Sequence, residues 1–165
     1  MTAGTPQQGY DLIMSTPTPP FPALHLVVGY DGSPPADRAL DAAVRLLRGR
    51  TGRIDVVYVA HLTSTEMMSA AAVGEMEITF EEVEKELRAS AAEKLDGYGL
   101  DWSFHRRQGP IPVELITVAS AVSEENPGDT VVIVVGSSSS PVHRMVGSAP
   151  VSLARHSPVP LVIVP

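Results

Sequence analysis

The chain has 165 residues, 44% of them hydrophobic, with 12 basic and 19 acidic side chains and a formal net charge of −7 at pH 7. These values describe one globular domain with some chain to spare, and exclude a disordered polymer. Cysteine is absent, which removes disulfides, thiol nucleophiles and thiolate-held metals together. An acidic surface repels a phosphate backbone, so no nucleic-acid partner is expected. No window holds 18 uninterrupted apolar residues and no basic-then-apolar leader opens the chain, so no membrane partner is expected and the reading is cytoplasmic.

Residues 1–23 carry five prolines and one formal charge, Asp11. They show neither helical nor strand period, which predicts a disordered, proline-rich tail before a single domain over 24–165. Leu24–Tyr30 is a short apolar run that ends in Asp31-Gly32-Ser33-Pro34-Pro35, a buried strand entering a turn. Ala36–Leu47 places Ala39, Leu40, Ala43, Val44 and Leu47 on one helical face. A second strand follows over Ile54–Ala60, and His61–Glu77 reads as irregular. Phe80, Val83, Leu87, Ala91 and Leu95 form a 3.6-period stripe, so Thr79–Leu95 is helical. Trp102–Arg106 is a short strand and Val113–Ser123 a helix. Thr130–Val135 is the most hydrophobic strand, Ala149–His156 a short helix, and Val159–Val164 a last strand.

This strict alternation implies parallel strands joined by helical crossovers, an α/β doubly wound sheet of five strands covered on both faces. Ligands of such sheets sit beyond the carboxyl ends of the strands, where the strand order reverses. Two loops of unusual composition leave strands in that way, Asp31–Pro35 and Gly136–Gly147. The second combines glycines, which let a backbone approach an anion, with hydroxyl donors and a following helix start. It reads as a phosphate cradle, against the plainer reading of a flexible Gly/Ser connector. A Walker A loop is excluded, because no Gly-Lys-[Ser/Thr] occurs.

Other constellations carry less. Gly136–Ser140 is similar to a nucleophile elbow but lacks its final glycine and a partner base, so no catalytic residue is assigned. The five histidines share no metal-ligand spacing, and no metal site is expected. The acids Glu75, Glu77, Glu81, Glu82, Glu84 and Glu86 read as a solvated helix face. Arg45, Arg48, Arg50 and Arg53 cluster at one helix end, where cations suit the dipole. Asp31 has a local alternative as an Asx-turn former.

The residues Val27-Val28-Gly29-Tyr30-Asp31-Gly32-Ser33, Gly109, Val132–Ser137, Gly147-Ser148 and Val159–Val164 together resemble the universal stress protein family. The likeness runs from about Leu24 to Pro165. It implies a Rossmann-like, adenine nucleotide α-hydrolase-like sheet of order 3-2-1-4-5 and a homodimer through Val159–Val164. It also implies an adenine nucleotide, ATP or AMP, held as a bound ligand, with Mg accompanying ATP. By match, Asp31 lies near the ribose, Val59 beside the adenine, Gly136 under the ribose-phosphate, and Gly147 and Ser148 at the phosphates. Ser139 occupies the place of the family's second motif glycine, with His143 and Arg144 nearby as a source of charge. The loop departs from the family pattern at Ser139, in its shorter spacer over 140–146, and at Pro150, which offers neither hydroxyl nor N–H. Two functions therefore stand side by side: a regulatory nucleotide binder of the stress response, and a dimeric interaction module that binds none.

Overall fold

A computed structural model describes residues 21–60, 70–137 and 149–165. Of the tail expected over 1–23, residues 1–20 lie outside the described residues; Phe21 is exposed. Order is tied down at Ala23, whose carbonyl accepts from Thr130 N at 2.9 Å and whose N–H donates to Asp129 Oδ1 at 3.0 Å.

The elements in chain order are β1 (Leu24–Gly29), α1 (Pro34–Leu47), β2 (Gly52–Ala60), α2 (Ala70–Leu95), β3 (Asp101–Gln108), α3 (Ile111–Glu125), β4 (Thr130–Gly136), α4 (Ala149–His156) and β5 (Leu161–Val164). All strand pairs are parallel, and the sheet order is β3-β2-β1-β4-β5. The fold expected from the alternation and the resemblance is the one observed. Its core has two layers. Leu26, Val28, Ile54, Val56 and Val134 face α1 and α2 on one side; Val27, Val57, Val131, Ile133 and Val135 face α3 and α4 on the other. Each strand alternates its side chains between these faces, and both faces of the central strands are dry. That is why β1 and β4 read as continuous apolar runs rather than alternating ones.

Most boundaries shift by one or two residues from the sequence reading, and three departures have identifiable reasons. α2 begins at Ala70, nine residues before the helix start expected at Thr79. The added turns are rich in alanine, so propensity supports them where no apolar period does. Within the stripe only Ala91 and Leu95 are buried, and Phe80 and Val83 are half-buried. A one-turn 3-10 segment, Asp96–Tyr98, closes on Gly99 at φ 62° and is anchored by Trp102 Nε1 donating to Asp96 Oδ1 at 2.9 Å. β5 begins at Leu161 rather than Val159. Pro160 brings no N–H to a ladder, and Ser157 Oγ donates to Val159 O at 2.7 Å, holding that approach as a turn.

Candidate functional site

Between β1 and β4 the order in which the chain visits the strands reverses, the kind of place where such sheets hold ligands. The ladder brings three of the expected site residues to this end. Gly29 pairs with Val57, so Asp31 and Val59 each lie two residues further along neighbouring strands. Val28 pairs with Val134, so Gly136 lies level with Tyr30. Ser139, Gly147 and Ser148 fall outside the described residues, as do His143 and Arg144.

The turn after β1 is built by its own side chains. Asp31 Oδ1 accepts from Ser33 N at 3.0 Å, the Asx turn that was the local alternative for this residue. Gly32 has φ 74°, and a Cβ there would lie 2.7 Å from a Leu87 methyl, so the turn requires glycine. Ser33 caps α1, its Oγ accepting from Ala36 N at 3.4 Å, with proline in the first turn where a missing N–H costs nothing. Beneath the turn the buried Tyr30 hydroxyl donates to Asp37 Oδ1 at 3.0 Å and lies 3.0 Å from Ser90 Oγ, tying β1 to α1 and α2. Burial pushes the Tyr30 phenol above its ordinary range; Ser90 opposes the rise, and the Asp37 and Asp31 carboxylates add to it. Burial likewise raises Tyr58, with Arg106 opposing and Asp31 reinforcing. Asp31 thus projects its charge over Tyr30 and Tyr58 while one of its oxygens holds the turn.

Gly136 has a structural reason of its own. A Cβ there would stand 2.2 Å from the Pro35 carbonyl oxygen and 2.4 Å from its carbon. Backbone cannot yield as a flexible side chain does, so the close approach of α1 to β4 demands glycine whether or not a phosphate is nearby. Ser137 N, next along, donates to Val164 O at 2.7 Å and is spent on β5.

The sequence reading missed a second polar centre. Asp55, fully buried in β2, accepts from Arg53 Nε at 2.9 Å, Ser103 Oγ at 2.8 Å and His105 Nε2 at 2.9 Å, and Arg53 also reaches Glu125 at 3.4 Å. Burial alone would raise the Asp55 carboxyl. The hydrogen bonds from His105, Ser103 and Arg53, with the charge of Arg53, outweigh it and hold the carboxyl below its ordinary value. Arg53 is therefore a strand residue serving Asp55, not one of a set of cations at a helix end. Ser103, His105 and Asp55 do not form a proton relay, because Ser103 and Asp55 meet the same ring nitrogen, Nε2, and Ser103 donates directly to Asp55. The one signal in the sequence was an acid inside an otherwise apolar strand.

The acidic run on α2 is exposed at Glu81, Glu82 and Glu86, while Glu84 pairs with Arg88 at 3.0 Å and Arg106 at 3.5 Å. Among the described residues no group of three or more His, Asp or Glu is placed to hold a metal ion. No helix among them is long and apolar enough to cross a membrane.

The family model for universal stress proteins matches residues 23–165. The chain belongs to the universal stress protein family. Solved members share its fold at low identity. The universal stress protein UspA from Lactobacillus plantarum is 15% identical with a TM-score of 0.67, over 87% of this chain and 99% of that one. A universal stress protein solved in complex with cAMP is 22% identical with a TM-score of 0.56, over 86% and 97%. A family protein from Arabidopsis thaliana with AMP bound is 15% identical with a TM-score of 0.59, over 86% and 90%. No curated protein matches the chain.

Proposed function

We propose that this universal stress protein binds an adenine nucleotide, ATP or AMP, beyond the carboxyl ends of β1, β2 and β4, in a regulatory rather than catalytic role. The observation that carries the reading is the convergence of Asp31, Val59 and Gly136 at the point where strand order reverses, in a fold whose solved relatives include proteins holding cAMP and AMP. Asp31 keeps one carboxylate oxygen for a ribose hydroxyl while the other holds the turn. Val59 offers its strand edge and side chain to the base, and Gly136, Ser139, Gly147 and Ser148 form the phosphate end, with Mg accompanying ATP. Pro150 and Ser139 supply fewer donors than the family pattern, so AMP binds nearly as well as ATP.

Thermal unfolding with ATP, ADP, AMP and cAMP tests this. A ligand with a Kd on the order of 10 μM, present at 1 mM, stabilises by about 2.7 kcal/mol. For a domain of this size that raises Tm by about 5–11 °C. If all four nucleotides leave Tm within about 1 °C, a shift too small for such binding, the reading fails.

A second reading, a dimeric interaction module without nucleotide, draws on two particular findings. Both Asp31 and Gly136 are explained by local structure, and the short edge strand β5 presents Ile163 at 44% exposure. A second copy pairing along β5 would cover that edge.

A further inference from the structure

Arg107 lies near the end of β3, paired in register with Val59. It shares Val59's face of the sheet, the one that Asp55, Ser103 and His105 also occupy. Its Nε is buried without a hydrogen-bond partner, and among the described residues no ion pair or ring contact engages its guanidinium. Glu114, whose carboxylate sits over Gly109 two residues on, forms no ion pair with it. The neighbouring Arg106 differs: it faces the opposite side and pairs with Glu84. A buried, unsatisfied donor on a charged group is costly and uncommon. The only other one among the described side chains, His25 Nδ1, lies at the far end of the strands.

The geometry points to Arg107 as a specificity-determining residue that donates hydrogen bonds to the base of the bound nucleotide; this rests on the nucleotide reading above. Strand order supports the assignment. On that reading the phosphate end belongs to β4, the ribose to β1 and the base to β2, and β3 continues the same line outward in the sheet order. Three strand spacings, roughly 14 Å, separate Arg107 from the β4 end, whereas one spacing separates it from Val59. Arg107 therefore meets the base and not the phosphates. A guanidinium carries only donors, so the groups it satisfies are ring-nitrogen acceptors of the purine.

The test is calorimetric titration of wild type, Arg107→Met and Arg107→Lys with AMP and with ribose 5-phosphate, alongside Tm without ligand. Hydrogen bonds to a charged donor set the scale: Arg107→Met should weaken AMP roughly tenfold or more. Ribose 5-phosphate, which lacks the base, should bind wild type and Arg107→Met equally. Lysine keeps a cationic donor and should restore part of the AMP affinity. Without ligand Arg107→Met should melt no lower than wild type, since the guanidinium has no partner among the described residues to lose. Equal AMP affinity in wild type and Arg107→Met overturns the role of Arg107 and leaves nucleotide binding standing. A parallel loss of ribose 5-phosphate binding, or a lower Tm in the unliganded variant, also overturns it. Wild type that binds no AMP overturns the nucleotide reading and this inference together.

Discussion

Replacing Asp55 probes the polar centre between β2 and β3, and the structure sets the size of the effect. Its carboxylate is fully buried and accepts three hydrogen bonds of 2.8–2.9 Å, one from a guanidinium. Removing one partner of a buried charged pair typically costs about 3–5 kcal/mol, because the other is left unpaired. Here the Arg53 and His105 side chains are 29% and 31% exposed and recover part of their hydration. Asp55→Ala should therefore fall at the lower end, about 3 kcal/mol, a Tm drop on the order of 10 °C. Asp55→Asn keeps one oxygen acceptor but sets an amide N–H₂ against the donors, and should cost about 2 kcal/mol. The effect depends on pH with a definite sign. Because the carboxyl is held below its ordinary 3.8, its contribution is complete above that value and is lost as pH falls through the folded-state value. The gap between wild type and Asp55→Asn should thus be smaller at pH 3 than at pH 7. Urea unfolding followed by circular dichroism and by fluorescence of Trp102, the sole tryptophan, measures both quantities. An Asp55→Asn protein within about 0.5 kcal/mol of wild type at pH 7, the range of ordinary surface substitutions, would refute this account. So would a gap of equal size at both pH values.

Gly136→Ala should destabilise the unliganded protein by about 3 kcal/mol, because its new Cβ meets the Pro35 backbone; differential scanning calorimetry without nucleotide measures it, and an unchanged Tm would reassign the glycine to ligand approach alone. It follows that substituting Gly136 cannot by itself report on phosphate binding. Ile163→Lys should convert a dimer to a folded monomer in light scattering at tens of micromolar, since Ile163 is exposed, whereas Val162→Lys should unfold the protein because Val162 packs against the core. A wild type that already runs as a monomer would sink the edge-strand dimer. Tyr30→Phe removes the hydroxyl shared by Asp37 and Ser90 and should lower stability by about 1 kcal/mol in urea unfolding, with no loss disproving its tie between the helices.

The alternation of short apolar runs with 3.6-period stripes was enough to derive this fold, because each element carries its own periodicity. Leu26 and Val28 alternate with Val27 between two dry faces, and Ala39, Leu40, Ala43 and Val44 mark the inner face of α1 by spacing alone. The turn at Asp31-Gly32-Ser33 was legible for the same reason: its chemistry acts within three residues. Contacts between distant segments left no such trace. Arg53, Asp55, Ser103 and His105 are scattered along the chain and become one centre only when β2 and β3 pair in register. That Gly136 also answers to the close approach of α1 is visible only once α1 is laid across it. Arg107 was one charge among many until the strand order set it beside Val59 with its Nε unpaired among the described residues. Local periodicity is a property of neighbouring residues and is written in the chain. Register, close approach and an unmet hydrogen bond arise only when segments far apart in sequence share one volume.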